Sequence, residues 1–151
     1  MKHFYLILFV LTLNISAHSE ENNFFKEAKK LFDNEKYEDS KFLFQRNIVY
    51  NPKDSKSYFY LAKIFKKEDN KNEEEKYIKT SLLLDPQDEE AMYFLIDLEL
   101  EKSNFSRVKE LKEDFVLICS KICEKLQSIE IRLKAFEKTE SWKLQLNTNN
   151  Y

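Results

Sequence analysis

From Tyr58 to Phe65 the chain places apolar side chains at Tyr58, Leu61, Ala62 and Phe65, three and four positions apart, so a helix here carries one apolar stripe. The same spacing appears at Phe24, Ala28 and Leu31, and more weakly at Met92 and Leu95. Each stretch is followed, after a polar break, by another: Tyr37, Ser40 and Phe44, then Ile78 and Ser81, then Phe105. The chain's two prolines, Pro52 and Pro86, each follow a second stretch, and they stand 86 − 52 = 34 positions apart. Proline cannot continue the helical hydrogen-bond ladder and pushes its predecessor out of helical geometry, so each marks a helix end. Asp54, Ser55 and Asp88 follow with side-chain oxygens that can cap the next helix. Small residues at Ala28, Ser40, Ala62 and Ser81 permit close helix crossings.

This arrangement resembles the tetratricopeptide repeat family, whose unit is a helix-turn-helix of about 34 residues ending in proline. The unit from Lys53 to Pro86 departs from the family signature only at Glu74, and the unit from Glu21 to Pro52 departs at Glu27 and Asn47. A third unit, Gln87 to Ser120, keeps Met92, Leu95 and Phe105 but has Ile96, Glu99 and Lys112 at discordant positions and no terminal proline. The resemblance implies an all-α, tetratricopeptide-like helix-turn-helix solenoid over 20–138, with repeats 21–52, 53–86 and 87–120. A helical hairpin cannot bury its stripe alone, so stacked neighbours share the core.

Beyond the third unit Cys119, Ile122, Leu126, Ile129, Leu133 and Phe136 form a narrow apolar seam on a helix running to about Lys138. Two roles fit it: a capping helix over 120–138 that closes the solenoid, or a coiled-coil seam joining two copies into a homodimer. Val108 and Phe115 continue the stripe upstream without an intervening proline, so one long helix or two remains open. Residues 139–151, with Trp142, form a polar C-terminal tail.

The amino terminus has Lys2 and His3, an apolar run from Phe4 to Leu13, and small residues around Ala17, which is the layout of a signal peptide over residues 1–19. The run is shorter than the roughly 20 apolar residues of a membrane-spanning helix. Cleavage after Ala17 or Ser19 is expected, with an uncleaved membrane anchor as the alternative. Export to a periplasm or cell envelope follows, and no cysteine near the site offers a lipoprotein anchor. Cys119 and Cys123, read as four apart on one helix, project in parallel, so an intrahelical disulfide is disfavoured and the pair reads as small apolar interface residues.

Composition then narrows the function. With 25 basic and 27 acidic residues the net charge is −2, which gives no basic excess for nucleic acid. Glycine is absent, which disfavours phosphate-cradling loops, the dinucleotide fingerprint and the calcium loop. The only histidines, His3 and His18, fall within or beside the signal, so nucleophilic triads and histidine metal sites have no material. No catalytic residue, metal site or cofactor is expected.

What remains is binding of a protein or peptide. In the resembled family the first helix of each unit lines a concave groove, which here implies Phe25, Lys29 and Phe32, then Phe59, Lys63, Lys66 and Lys67, then Tyr93, Asp97 and Leu100. Lysines there can pair with the carboxylates of an acidic segment while aromatic faces supply contact area. The family's chaperone-tail clamp also needs asparagines, which these positions lack, so that ligand is not implied. The competing readings are a solvated lysine face and a membrane-tethered or self-associating scaffold.

Overall fold

The computed structural model describes residues 21–148, with side chains over 24–139. The signal-peptide reading of residues 1–19, both histidines and the side chain of Trp142 lie outside the described residues. Among the described residues are seven helices and no strand: α1 Glu21–Asp33, α2 Tyr37–Tyr50, α3 Ser55–Lys67, α4 Lys71–Leu84, α5 Glu89–Glu101, α6 Phe105–Ile118 and α7 Lys125–Thr148. The all-α, tetratricopeptide-like class expected from the sequence is the class observed. The chain divides into two compact units, one ending at Leu84 and one beginning at Asp85.

In the first unit α1 packs on α2, α2 on α3, and α3 on α4. Its core gathers Ala28, Phe44, Leu61, Ile64 and Phe65, flanked by half-buried Phe25, Phe32, Tyr60 and Tyr77. Full burial of the Phe44 ring stabilises the fold by about 1.5–3 kcal/mol relative to leaving it exposed. Ala28 and Ala62 are wholly buried, as crossing residues without bulk. Close approach is tied by side-chain hydroxyls: Ser40 donates to the Ala28 carbonyl at 2.8 Å, and Ser81 to the Ser55 carbonyl at 2.9 Å.

The turns inside the hairpins share one geometry. Glu35, Asp69 and Ser103 have φ of 59°, 55° and 59°, a left-handed conformation that usually selects glycine, and they recur every 34 positions (69 − 35 and 103 − 69). In each turn the left-handed residue donates three positions back, at 2.9, 3.2 and 3.0 Å, and its successor donates five positions back, at 2.9 Å in all three. These paired bonds form the Schellman closure of a helix C-terminus. The connections after α2 and α4 also match. Asp54 N–H donates to the Asn51 carbonyl at 3.1 Å and Asp88 N–H to the Asp85 carbonyl at 3.4 Å, with Pro52 and Pro86 at the second position of the turn.

Asp88 caps α5 as expected, its carboxylate accepting from Ala91 N–H at 3.0 Å. Asp54 holds the cap position of α3 but makes no such bond. Asn47 is 1% exposed and its buried amide needs an acceptor. Asp54 Oδ2 supplies one, taking bonds from Asn47 Nδ2 and Ser57 Oγ, each at 2.7 Å.

The second unit consists of α5, α6 and α7, with α5 buried at Ala91, Met92, Leu95, Ile96, Leu98, Glu99 and Leu100. Val108, Leu111 and Phe115 of α6 face it, and Ile129 and Leu133 of α7 are buried in the same unit. Glu99, a discordant signature position, is buried as an acceptor for Asn104 Nδ2 at 2.7 Å, which braces the α5–α6 turn.

Three sequence expectations change here. α6 and α7 are separate helices, so the terminal helix begins at Lys125 rather than at 120. It also continues through 139–148, where Glu, Lys, Leu and Gln favour helix and neither proline nor glycine stops it. Most directly, Cys119 and Cys123 form a disulfide, with Cα atoms 5.2 Å apart. On one continuous helix the two side chains would project in parallel. Cys119 instead turns extended, at φ −64° and ψ 134°, and that departure aims the two side chains at one another.

Candidate partner-binding surface

Within the first unit, α1 and α3 bring together most of the residues expected to line a groove. Tyr60, on α3, is the hub. Its ring centroid lies 5.9 Å from Phe25, 5.1 Å from Phe32 and 5.0 Å from Phe44. Two lysines lie near its ring: Lys29 Nζ is 5.9 Å from the Tyr60 centroid and Lys63 Nζ is 5.2 Å away. Lys63 also lies 4.1 Å from the centroid of the buried Phe59 ring. Ammonium groups near aromatic faces gain from the ring quadrupole and keep their stems on apolar surface while the charge meets water.

Lys29 bonds Asp33 at 2.6 Å. Its pKa lies above the ordinary lysine value, first because of that hydrogen bond and next because of the Tyr60 charge interaction. A carboxylate approaching Lys29 therefore competes with Asp33. Lys66 and Lys67 close α3, Lys66 half-buried and Lys67 exposed, near the helix C-terminus where cations are favoured. Phe25 and Phe32 serve the core as well as the surface, because each packs edge-on against the aromatic residues of its own hairpin: Phe25 on Phe44 at 5.6 Å, Phe32 on Tyr37 at 5.5 Å.

In the second unit the corresponding residues are engaged by the chain itself. Asp97 accepts from Arg132 of α7 at 2.6 Å, and Tyr93 lies 6.3 Å from Phe115 and 5.7 Å from Lys125 Nζ. Leu100 is buried.

Sequence reasoning passed over Tyr60 and Glu89. Tyr60 belongs to the run Tyr58-Phe59-Tyr60, in which successive rings point to different sides of the helix, and it is the one that meets Phe25 and Phe32 of α1. Glu89, in the first turn of α5, accepts from Ser120 Oγ at 2.6 Å, Lys121 N–H at 2.9 Å and Ile122 N–H at 3.1 Å. Those bonds, the Ser120 hydroxyl foremost and the backbone N–H groups after it, hold its pKa at about 2. No local sequence pattern announces a contact across 31 to 33 positions.

These features define a tetratricopeptide-like helical-repeat protein with a lysine and aromatic surface on its first unit. No family model matches the sequence, and no curated protein matches it. Solved structures do match in fold. The type III secretion translocator chaperone SycD of Yersinia enterocolitica superposes with a TM-score of 0.72 at 14% identity, covering 87% of this chain and 93% of that one. SycD in complex with a peptide of the translocator YopD gives 0.70 at 14% identity, over 84% and 99%. The second tetratricopeptide domain of Spaghetti (RPAP3), bound to the HSP90 peptide SRMEEVD, gives 0.60 at 18% identity, over 66% and 92%.

Proposed function

We propose that this chain is a non-catalytic protein-interaction module whose first unit binds a protein or peptide partner at the α1–α3 surface. The observation that carries the reading is the placement of Lys29 and Lys63 within 5.9 and 5.2 Å of the Tyr60 ring, beside a half-buried aromatic cluster. Fixed cations beside aromatic faces suit an extended segment that alternates acidic and apolar side chains. Two similar structures hold peptides, which supports a peptide-binding reading of this fold. The partner surface takes in Phe25, Lys29, Phe32, Phe59, Lys63, Lys66 and Lys67.

The module acts as an exported adaptor or scaffold in envelope complex assembly, with residues 1–19 as its signal. The Cys119–Cys123 disulfide supports this, since disulfides persist outside the reducing cytoplasm. Among the described residues no helix is long and apolar enough to cross a membrane. Burial of Ile129 and Leu133 within the second unit supports α7 as a capping helix in the resting chain.

A panel of fluorescent peptides, acidic-aromatic, basic-aromatic and acidic without aromatics, tests the binding reading by anisotropy. The acidic-aromatic peptides should bind best, and K63E/K67E should weaken them tenfold or more, about 1.4 kcal/mol, without changing the circular dichroism spectrum. Equal affinity for K63E/K67E and the native chain rejects the surface. For export, the mature protein recovered from an envelope fraction should begin at His18 or Glu20; an intact Met1 terminus rejects cleavage.

A further inference from the structure

The chain ends its second-helix segments in two chemically different ways. After α2 and α4 the terminator is a proline, Pro52 and Pro86. One further period on, position 120 holds Ser120, inside the disulfide-closed loop Cys119–Cys123. The six residues between α6 and α7 (125 − 118 − 1) contain neither proline nor glycine, and none of the left-handed residues lies among them. The helix break there has the disulfide where the other two have a proline, and a disulfide can be removed.

Two structures compete for the same donors. Lys121 and Ile122 N–H now bond Glu89, whereas in a continuous helix they would bond the carbonyls of Leu117 and Ile118. The apolar stripe of α6, Val108, Leu111 and Phe115, runs through Ile122 and Leu126 to Ile129 and Leu133 at helical spacing, so the residues themselves encode continuity. The disulfide opposes it, because side chains four apart on a helix project in parallel.

We infer that reduction of Cys119–Cys123 converts the chain to a domain-swapped dimer in which α6 and α7 fuse into one helix and each α7 packs on a second copy. A dithiol reductant supplies the electrons. Its thiolate attacks one sulfur to give a mixed disulfide, and its second thiol displaces the protein sulfur and closes a cyclic disulfide. Cys119 and Cys123 thereby gain two electrons and two protons and become thiols. A fused helix cannot fold back on itself, so α7 leaves α5 and α6 of its own chain. The contacts it gives up are available in trans, among them Arg132 with Asp97 at 2.6 Å, Lys109 with Glu137 at 2.8 Å, Lys112 with Glu130 at 3.2 Å, and the Phe105–Phe136 stack at 3.4 Å. That equivalence names the occupant as a second copy, since exchange of an identical element re-forms the same interface between chains.

The test uses the full chain with donor and acceptor dyes placed through unnatural amino acids at Ser106 and Lys138, which flank the Phe105–Phe136 stack. Doubly labelled chains are mixed with excess unlabelled chain and followed by light scattering and energy transfer, with and without dithiothreitol, while free thiols are counted. Reduction should double the scattering mass and at least halve the transfer efficiency, because residues 32 apart on one helix are about 48 Å apart. C119S/C123S should behave as the reduced chain without reductant. Unchanged mass with both thiols free overturns the inference, and so does a doubled mass with unchanged transfer, which would mark a dimer formed without exchange.

Discussion

The three left-handed turn residues allow a stability prediction that runs against the usual cost of glycine. Glu35, Asp69 and Ser103 are exposed and hold φ between 55° and 59° in a chain with no glycine at all. A residue with a Cβ in this region costs about 1–2 kcal/mol. Glycine avoids that clash but loses more conformational freedom on folding, by roughly 0.5–1 kcal/mol. The difference leaves Glu35→Gly stabilising by about 0.5–1 kcal/mol. Asp69→Gly should be close to neutral, because aspartate's short polar side chain tolerates this conformation better. Ser103→Gly should fall between them. Urea unfolding of each variant, read as a midpoint shift at unchanged slope, measures the effect. Ser103→Val is the opposing control and should destabilise, since a β-branched residue fits this region poorly. If Glu35→Gly instead loses stability by the amount typical of glycine inside a helix, the Schellman account of these turns is wrong.

Other expectations follow from the packing and the hydrogen bonds. Ala62→Leu should destabilise by about 1–3 kcal/mol through overpacking at a wholly buried crossing, and chemical denaturation would show it; full tolerance argues against a close crossing. Asp88→Ala, which removes the bond from Ala91 N–H, should cost about 1 kcal/mol by the same assay. Glu89 has its folded-state pKa lowered to about 2 from 4.5, so its contribution to stability is present above about pH 4.5 and is lost as pH falls through 2. Stability measured against pH should therefore flatten in that window in Glu89→Gln, and an unchanged profile would contradict the three-bond arrangement.

Much of the fold was legible because the repeat places similar demands on each unit. Ala28 and Ala62 announced close crossings, and Pro52 and Pro86 announced helix ends, since each acts through local sterics that a sequence displays directly. Ile96 occupies the corresponding crossing position in the third unit and is also wholly buried, although its bulk made that unit look degenerate. The backbone turn at Ser103 preserves the period there while the side chains have drifted. Glu74, where a small residue is expected, and Glu99 read as departures from the repeat signature, yet both are buried, Glu74 ion-paired to Lys71 at 3.2 Å. Lys71 is one helical turn from Glu74 and Asn104 lies across the turn from Glu99, but the burial of both carboxylates depends on packing.

The disulfide was hidden for a different reason. Helical geometry disfavours the pair only along a continuous helix, and the break at Cys119 is recorded in no helix-breaking residue. Of the proposed surface, the lysines and Phe25, Phe32 and Phe59 stand out in the sequence as candidates. Tyr60, which organises them, became visible only when α1 and α3 were in place.

The central claim is that the first unit's α1–α3 surface receives an acidic-aromatic partner segment, and amide and side-chain chemical-shift mapping tests it most directly. On titration with the best-binding peptide of the panel, the largest perturbations should fall on Lys29, Tyr60, Lys63 and their neighbours. Perturbations concentrated in α5 to α7, with α1 and α3 unmoved, would contradict it.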